Sequence, residues 1–509
     1  QRVFDERTRE VTERKLLQAV ERSHEINPNG NIPVTFHTTQ SLPGTRYERT
    51  EEGIVKEFMP VVNQETGQLN IVRRETQHYP HPMHEEKGEI VPLEKGKTYE
   101  VEERLKIMNE SEWDNALAQI EFQRENAQRI LKDIHPIFIN RYIEYRTLPR
   151  DKIKMSAEEF QEVQRIISAA EYLKQAEMSA SALFNKAYKV SEKDEGKKEE
   201  LNTLSKHYSE MLGFNEKGEM KKEKIAEYHN PLVQAQALLS LTEGLGQIHP
   251  EIWKPAEDFA LEKTAQSYGN VAFNAWKKFG WKKEKDTTPL VLIENPPAGG
   301  GLSRGEDLKK LVQESRKRFV DNAVGEKLMS KGEAEKEAEK LIGVTWDVGH
   351  INQLRQFGFT GKDIIKEAEE VAPYLKHMHL SDNFGMENIE MPMGMGNVDF
   401  KEVMEALKKK GAKTEDVRKI VEAAHWWQFF QSNPVGPTLE ALGTPLYSTK
   451  GPYWNQIAGF QQGYFGGYGM MLPQINYESF GTGFSNLPSE LGGQRVGGQR
   501  SRMGGAPME

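Results

Sequence analysis

The chain has no cysteine among its 509 residues. Disulfides, thiolate metal sites and cysteine nucleophiles are excluded together. Any metal here must sit on imidazole and carboxylate ligands. There is also no run of about 18 apolar residues, the length a helix needs to span a bilayer. An excess of positive charge is missing too. Lys+Arg total 68 against 77 Asp+Glu, a formal net charge of −9. That balance argues against sequence-independent nucleic-acid binding, which needs a basic footprint, though a local basic groove is still allowed. The opening residues, Gln1-Arg2-Val3-Phe4-Asp5, are charged, show no apolar signal core and do not start with Met. The chain therefore reads as cytoplasmic and trimmed at the front.

What is present is ordinary for a globular protein: 37% hydrophobic residues, 28% charged residues and 43 glycines. The length suits two or three domains, or one large barrel with insertions. Residues 8–26 read as an amphipathic helix with Val11, Leu16, Leu17 and Val20 on one face. Asn27-Pro28-Asn29-Gly30 ends it, and residues 32–37 read as a short buried strand closing on His37. Residues 42–109 hold β-like runs between turns. From 111 to 245 the chain is mostly long charged helices. In one of them Phe160, Val163, Ile166, Ile167, Ala170 and Leu173 keep a helical period, which requires a partner on that face. The run 193–200 reads as a solvated turn.

After residue 246 strand and helix alternate. Strands are expected at 289–294, 342–347, around 376–380 and at 418–422. Helices are expected near 255–279, 305–319, 326–341, 361–370 and 399–410. Such alternation implies a parallel sheet with helical crossovers. Every one of these strands ends in Glu, Asp or His, the habit of a (β/α)₈ barrel with its site at the C-terminal strand ends. The tail from 432 is rich in Gly and aromatics, and its early part reads as packed on the body.

Four successive strands present Glu294, Asp347, His379 and Glu422. Three carboxylates and one imidazole suit a divalent ion such as Mn, Mg, Co or Zn. His37 and His249 are read as ending earlier strands, and His350 lies one turn past Asp347. Other signals read more plainly. His78, His81 and His84 form an irregular loop rather than a zinc site. Gly299-Gly300-Gly301 lacks the lysine of a phosphate-binding loop. His377 is read as pointing away from His379, towards the helices. Trp426 and Trp427 read as packing residues.

Val344-Thr345-Trp346-Asp347-Val348-Gly349-His350 resembles the Asp-x-x-His strand of the xylose-isomerase-like TIM-barrel superfamily. That group holds sugar and sugar-phosphate isomerases and epimerases, and endonuclease IV. His377-Met378-His379-Leu380-Ser381-Asp382 resembles its next strand. Met393 to Phe400 looks like its Gly-x-Gly-x-(Ile/Val)-Asp-(Phe/Trp) turn, Leu292 to Asn295 like its fifth strand and Ile420-Val421-Glu422 like its eighth. The resemblance covers residues 8–40 and 246–430. It implies that Glu294, Asp347, His379 and Glu422 ligate one divalent ion, and that Glu294 and Glu422 are also the catalytic acid/base pair. It further implies that His350 binds a substrate oxygen, and that His37 and His249 line the pocket or hold a second metal.

The expected architecture is α/β: a (β/α)₈ TIM barrel, with a large mainly helical insertion and a Gly/aromatic-rich C-terminal tail. Barrel parts are placed at 1–41 and 246–431, the insertion at 42–245 and the tail at 432–509. Only one helix precedes the strand of His37, where the family has two βα units. Either the first strands are not in this chain or another segment completes the barrel. The expected activity is isomerisation or epimerisation of a sugar or sugar-like polyol. The alternatives are an endonuclease IV-like phosphodiesterase on abasic DNA and a non-catalytic scaffold. Against the endonuclease, Met386 to Met393 lacks the Asp-x-His pair needed for a three-metal cluster. Partners left open are a second copy of the chain or a polypeptide supplying the missing strands; a membrane or nucleic acid is not expected.

Overall fold

The computed structural model describes residues 3–441, except 31, 40–41, 52, 81–82, 85–89, 92–95, 150–152, 193, 216, 424–425 and 427–432. The tail beyond 441, His81 and Trp427 lie outside the described residues. The chain divides into two compact units, Gln1–Phe4 with Val61–Lys254, and Asp5–Pro60 with Pro255–Glu509.

In chain order the first elements are α1 (Glu6–Ile26), β1 (Pro33–His37), β2 (Arg46–Thr50) and β3 (Gly53–Asn63). The short strands β4 (Leu69–Arg73), β5 (Glu75–Gln77), β6 (Met83–His84), β7 (Ile90–Val91) and β8 (Lys97–Tyr99) come next. Helices α2 (Val101–Lys132), α3 (Pro136–Thr147), α4 (Ala157–Val190), α5 (Glu195–Met211), α6 (Ile225–Tyr228) and α7 (Pro231–Ile248) follow. Then come β9 (Trp253–Pro255), α8 (Ala256–Phe279), β10 (Leu290–Glu294), α9 (Gly305–Gly325), α10 (Lys331–Leu341) and β11 (Ile342–Asp347). The last are α11 (Val348–Asn352), α12 (Gly361–Val371), β12 (Leu375–Leu380), α13 (Phe400–Lys409), β13 (Arg418–Val421) and α14 (Val435–Ala441).

The helical unit is built on α2, α4 and α7. Along α4 the buried residues are Val163, Ile166, Ala169, Leu173, Ala176, Ala180, Leu183 and Ala187. This is a helical stripe that narrows to alanine, letting neighbouring helices come close. Phe160, expected on that stripe, is 51% exposed because it sits in the first turn, ahead of the packed region. Trp113 on α2 is fully buried, and its indole donates to the Leu245 carbonyl on α7 at 2.9 Å. The run 193–200 is mostly helix. Asp194 caps α5 by accepting the Lys197 amide at 3.1 Å, so its lysines and glutamates form the first turns of α5.

The second unit carries a five-stranded parallel sheet in the order β1-β10-β11-β12-β13. The α/β class holds, but among the described residues the sheet has five strands and no closed eight-stranded barrel. His249 does not end a strand. It is the C-cap of α7, held at φ 40° in the left-handed region. The helix must stop there because Pro250 follows and excludes the α conformation for His249. In the sheet the strand of His37 and that of Glu294 are neighbours: β1 pairs directly with β10.

The sheet is covered by α8, α9, α10, α12 and α13. Val291, Ile293, Ile342, Val344, Trp346, Met378 and Leu380 face these helices in one core. Period-two alternation puts Thr35, Thr345, His377 and His379 on the other face, where the Thr35 and Thr345 hydroxyls meet at 2.8 Å. His377 and His379 are two residues apart, so they share a face: their rings pack edge-on at 5.0 Å. The expectation that His377 points to the helices is thus corrected.

Trp346 is fully buried and its indole Nε1 has no hydrogen-bond partner. Trp346→Phe removes that unsatisfied donor and most of the ring stays. It is expected to change stability by less than about 1 kcal/mol, while Trp346→Ala costs about 3–5 kcal/mol. Denaturant midpoints of the two variants check this, and similar losses for both would refute it.

Candidate metal centre

Parallel register brings the strand ends level. His37 lies opposite Glu294, and Asp347 lies opposite His379. The second pairing depends on a register shift between Val344 and Thr345, an irregularity of the type that re-aims side chains near functional sites. Glu422 follows directly on β13, and its amide bonds to the Leu380 carbonyl.

Ligand atoms of Glu294, Asp347, His379 and Glu422 all lie within 4.8 Å of one another. His379 Nδ1 is 2.8 Å from Glu294 Oε1, 2.9 Å from Glu422 Oε2 and 3.8 Å from Asp347 Oδ2. These are approaches without hydrogen-bond direction. His379 Nδ1, Glu422 Oε2 and Asp347 Oδ2 are buried and lack a hydrogen-bond partner. Orphaned donors of electron pairs that converge on one point fit a divalent cation, and three carboxylates with one imidazole are a hard-to-borderline donor set for it.

Asp347 shows how the Asp-x-x-His spacing works. It is the N-cap of α11, and its Oδ1 accepts the His350 amide at 2.9 Å, as an N-cap takes the third helical amide. Ser381 donates its hydroxyl to the same Oδ1 at 2.7 Å. One carboxylate oxygen is therefore engaged and the other left free for the cluster. His350 is buried, and its Nδ1 donates to the Asn295 carbonyl at 2.8 Å, which leaves the Nε2 lone pair available, 3.9 Å from Asp347 Oδ2. His37, Glu294 and His350 form a second group with the same mutual reach, sharing Glu294 with the first. His37 is the exposed member, its ring 5.8 Å from that of His350.

The charges are strongly mutual. Burial disfavours charge on His379, yet the short contacts and negative charges of Glu294 and Glu422 overcome it and push its pKa up to about 10. Contact with His379 holds Glu422 below the usual carboxylate range. Complete burial pushes Asp347 up. His377, beneath the cluster, falls to about 4 through burial and then the neighbouring His379 charge.

Of the residues expected from the sequence, Glu294, Asp347, His379, Glu422, His350 and His37 meet. His249 is the cap of a helix in the helical unit and does not end a strand. Sequence reading assigned no role to Asn295 or Ser381, both buried beside the cluster. The available signal was a polar residue directly after β10 and after β12. A cavity of about 680 Å³ in the same unit is lined by Tyr47, Glu257, Arg304 and Asp307 among others, and by none of the cluster residues.

His379 has a folded pKa of about 10 against an ordinary 6.5. In the metal-free protein its proton therefore stabilises the fold fully below about pH 6.5, and that contribution is lost as pH rises through about 10. Denaturation of chelator-treated protein across this window is expected to show stability falling for wild type and a flatter profile for His379→Asn. A divalent ion must displace the proton, so binding at neutral pH should release it. Calorimetry in buffers of different ionisation heat reads the release; no proton released would contradict the assignment.

The sequence pattern of the xylose isomerase-like TIM barrel family matches residues 334–428. This stretch contains Asp347, His350, His379 and Glu422. The chain is also similar to "Uncharacterized protein MJ1311" of Methanocaldococcus jannaschii, 31% identical over 72 residues. That alignment takes in 14% of this chain and 23% of the relative, so the chain spans about a quarter of the relative's length. No solved structure matches the chain. The likeness to the xylose isomerase-like TIM barrel family is thus confined to residues 334–428, a minority of the chain.

Proposed function

We propose that the protein is a divalent-metal-dependent isomerase or epimerase of a sugar or sugar-like polyol. The observation that carries this reading is the convergence of Glu294, Asp347, His379 and Glu422, the last three each with a buried ligand atom that has no hydrogen-bond partner. The family match supports the same class, since the group holds sugar isomerases and epimerases. When bound, a divalent ion would polarise a carbonyl and its adjacent hydroxyl and so acidify the intervening C–H.

The rest of the chemistry falls to the chain. Glu294 and Glu422 reach His379 from two different strands, β10 and the end of β13. Opposed carboxylates suit proton removal from one face of a carbon and delivery to the other. Glu422, held in its charged form by contact with His379, carries a carboxylate free of its proton. His350 Nε2, with the tautomer set by Asn295, faces the site as an acceptor for a substrate hydroxyl. His37, more exposed, stands at the rim.

Among the described residues β1 and β13 each have a single strand neighbour. Unpaired strand edges invite pairing. A second copy of the chain or a strand-supplying polypeptide is our proposed partner for these edges.

Metal analysis of the purified protein, with a screen of ketoses in deuterated water and of abasic DNA, tests the reading. Metal-dependent deuterium uptake at the carbon next to the carbonyl supports it, and cleavage of abasic DNA without sugar turnover would replace it with the phosphodiesterase. On a verified substrate, Glu422→Gln is expected to lower kcat by at least about 10²-fold, the usual contribution of a positioned acid/base group, and to weaken metal binding much less. Equal turnover by variant and wild type would refute the role of Glu422.

A further inference from the structure

Asn295 follows Glu294 directly and is fully buried. Strands β10 and β11 pair as far as Glu294 and Thr345, and β10 ends there. The Asn295 side chain then takes over the ladder. Its Oδ1 accepts the Asp347 amide at 2.8 Å, and its Nδ2 donates to the Asp347 carbonyl at 2.9 Å. One side chain thus satisfies both backbone groups of a buried residue, which would otherwise be costly to leave unpaired. Its own carbonyl accepts from His350 Nδ1 at 2.8 Å. A planar amide is the short side chain with a donor and an acceptor in this arrangement; a carboxylate lacks the donor and alanine lacks both.

We infer that Asn295 is a positioning residue of the metal centre, holding the Asp347 backbone and the His350 tautomer in register with Glu294 before any ion arrives. The inference rests on the metal-centre reading. It goes further by naming a residue that touches neither ion nor substrate. Three groups of the site come from two strands: Glu294 from β10, Asp347 from β11 and, one helical turn on, His350. Asn295 is bonded to the second through its side chain and to the third through its backbone, and is covalently joined to the first. Displacing it loosens Asp347 and His350 relative to Glu294 and releases the His350 tautomer, although none of their own side chains has changed.

The test uses the whole chain loaded with Co²⁺, whose visible bands report ligand geometry. Asn295→Ala is expected to lower Co²⁺ affinity about 10–100-fold, the usual cost of removing a group that orients ligands, and to shift the bands. Asn295→Asp should lose at least as much, because it sets a carboxylate oxygen against the Asp347 carbonyl. A purely structural role would lower the unfolding midpoint of the metal-free variants but leave the bands of the loaded protein in place. Folded variants with affinity within about twofold of wild type and unchanged bands overturn the inference. If both variants fail to fold, amide exchange in metal-free wild type decides. The Asp347 amide should be strongly protected, and exchange at the rate of an open chain overturns the inference. Failure of wild type itself to bind Co²⁺ would instead sink the metal-centre reading, and the exchange measurement would still show whether the clamp exists.

Discussion

Three carboxylates gathered within 4.8 Å of one imidazole set the central constraint on this structure. Two unit charges about 4 Å apart repel by about 4 kcal/mol at an effective dielectric near 20. Three carboxylates make three such pairs. A single imidazolium makes three attractive pairs, so it cancels the mutual repulsion and leaves the desolvation of four charged groups without compensation. A doubly charged ion makes six units of attraction against the same three of repulsion, and it lets His379 serve as a neutral ligand. The pKa of His379 near 10 expresses the same demand in the metal-free state: the cluster holds a proton far above the ordinary range because positive charge is what it needs.

Meeting that demand requires strands whose ends are level and whose side chains face the same way. Parallel pairing supplies the first condition and the two-residue pleat the second. Neither is enough at Asp347. A register shift at Val344 and Thr345 brings it opposite His379, and its role as helix cap turns one oxygen to the His350 amide. The cap explains why the aspartate and the histidine are three residues apart. Gly349 lies between them for a related reason. A Cβ there would stand 2.1 Å from the Ser381 hydroxyl, which holds Asp347 Oδ1. A side chain at 349 would displace a hydroxyl that decides which aspartate oxygen is free.

Much of this was legible in the sequence because strand-end acids and histidines follow short apolar runs with clear alternation. Glu294, Asp347, His379 and Glu422 were readable on that ground. His249 misled because Gln247-Ile248-His249-Pro250 looks like a strand end, whereas the apolar residues before it keep a helical period back to Pro231. Proline marks the end of an element without saying which kind. His377 misled through a parity slip: residues two apart share a face, so it lies beneath His379 rather than behind it. The pairing of β1 with β10 was beyond local signals, since the two strands are separated by more than 250 positions and nothing short-range states which strands are neighbours.

The residues that no motif announced show how such a site is kept rigid. Asp382 follows Ser381 and is fully buried, and its carboxylate accepts the amides of Asn383, Gly394 and Val398. Gly396 passes so close that a Cβ would sit 2.3 Å from Asp382 Oδ1. Asn383 donates to the Gly349 carbonyl, and its oxygens accept from Asn352 at the end of α11. Three consecutive residues after β12 therefore hold three different things: the engaged oxygen of Asp347, the loop to residue 398 and the helix that carries His350. A loop must vary if substrates are to vary, but its attachment points cannot. Placing those attachments on the polar side chains of one strand end, two to four residues after His379, ties the loop to the same sheet that carries the candidate ligands.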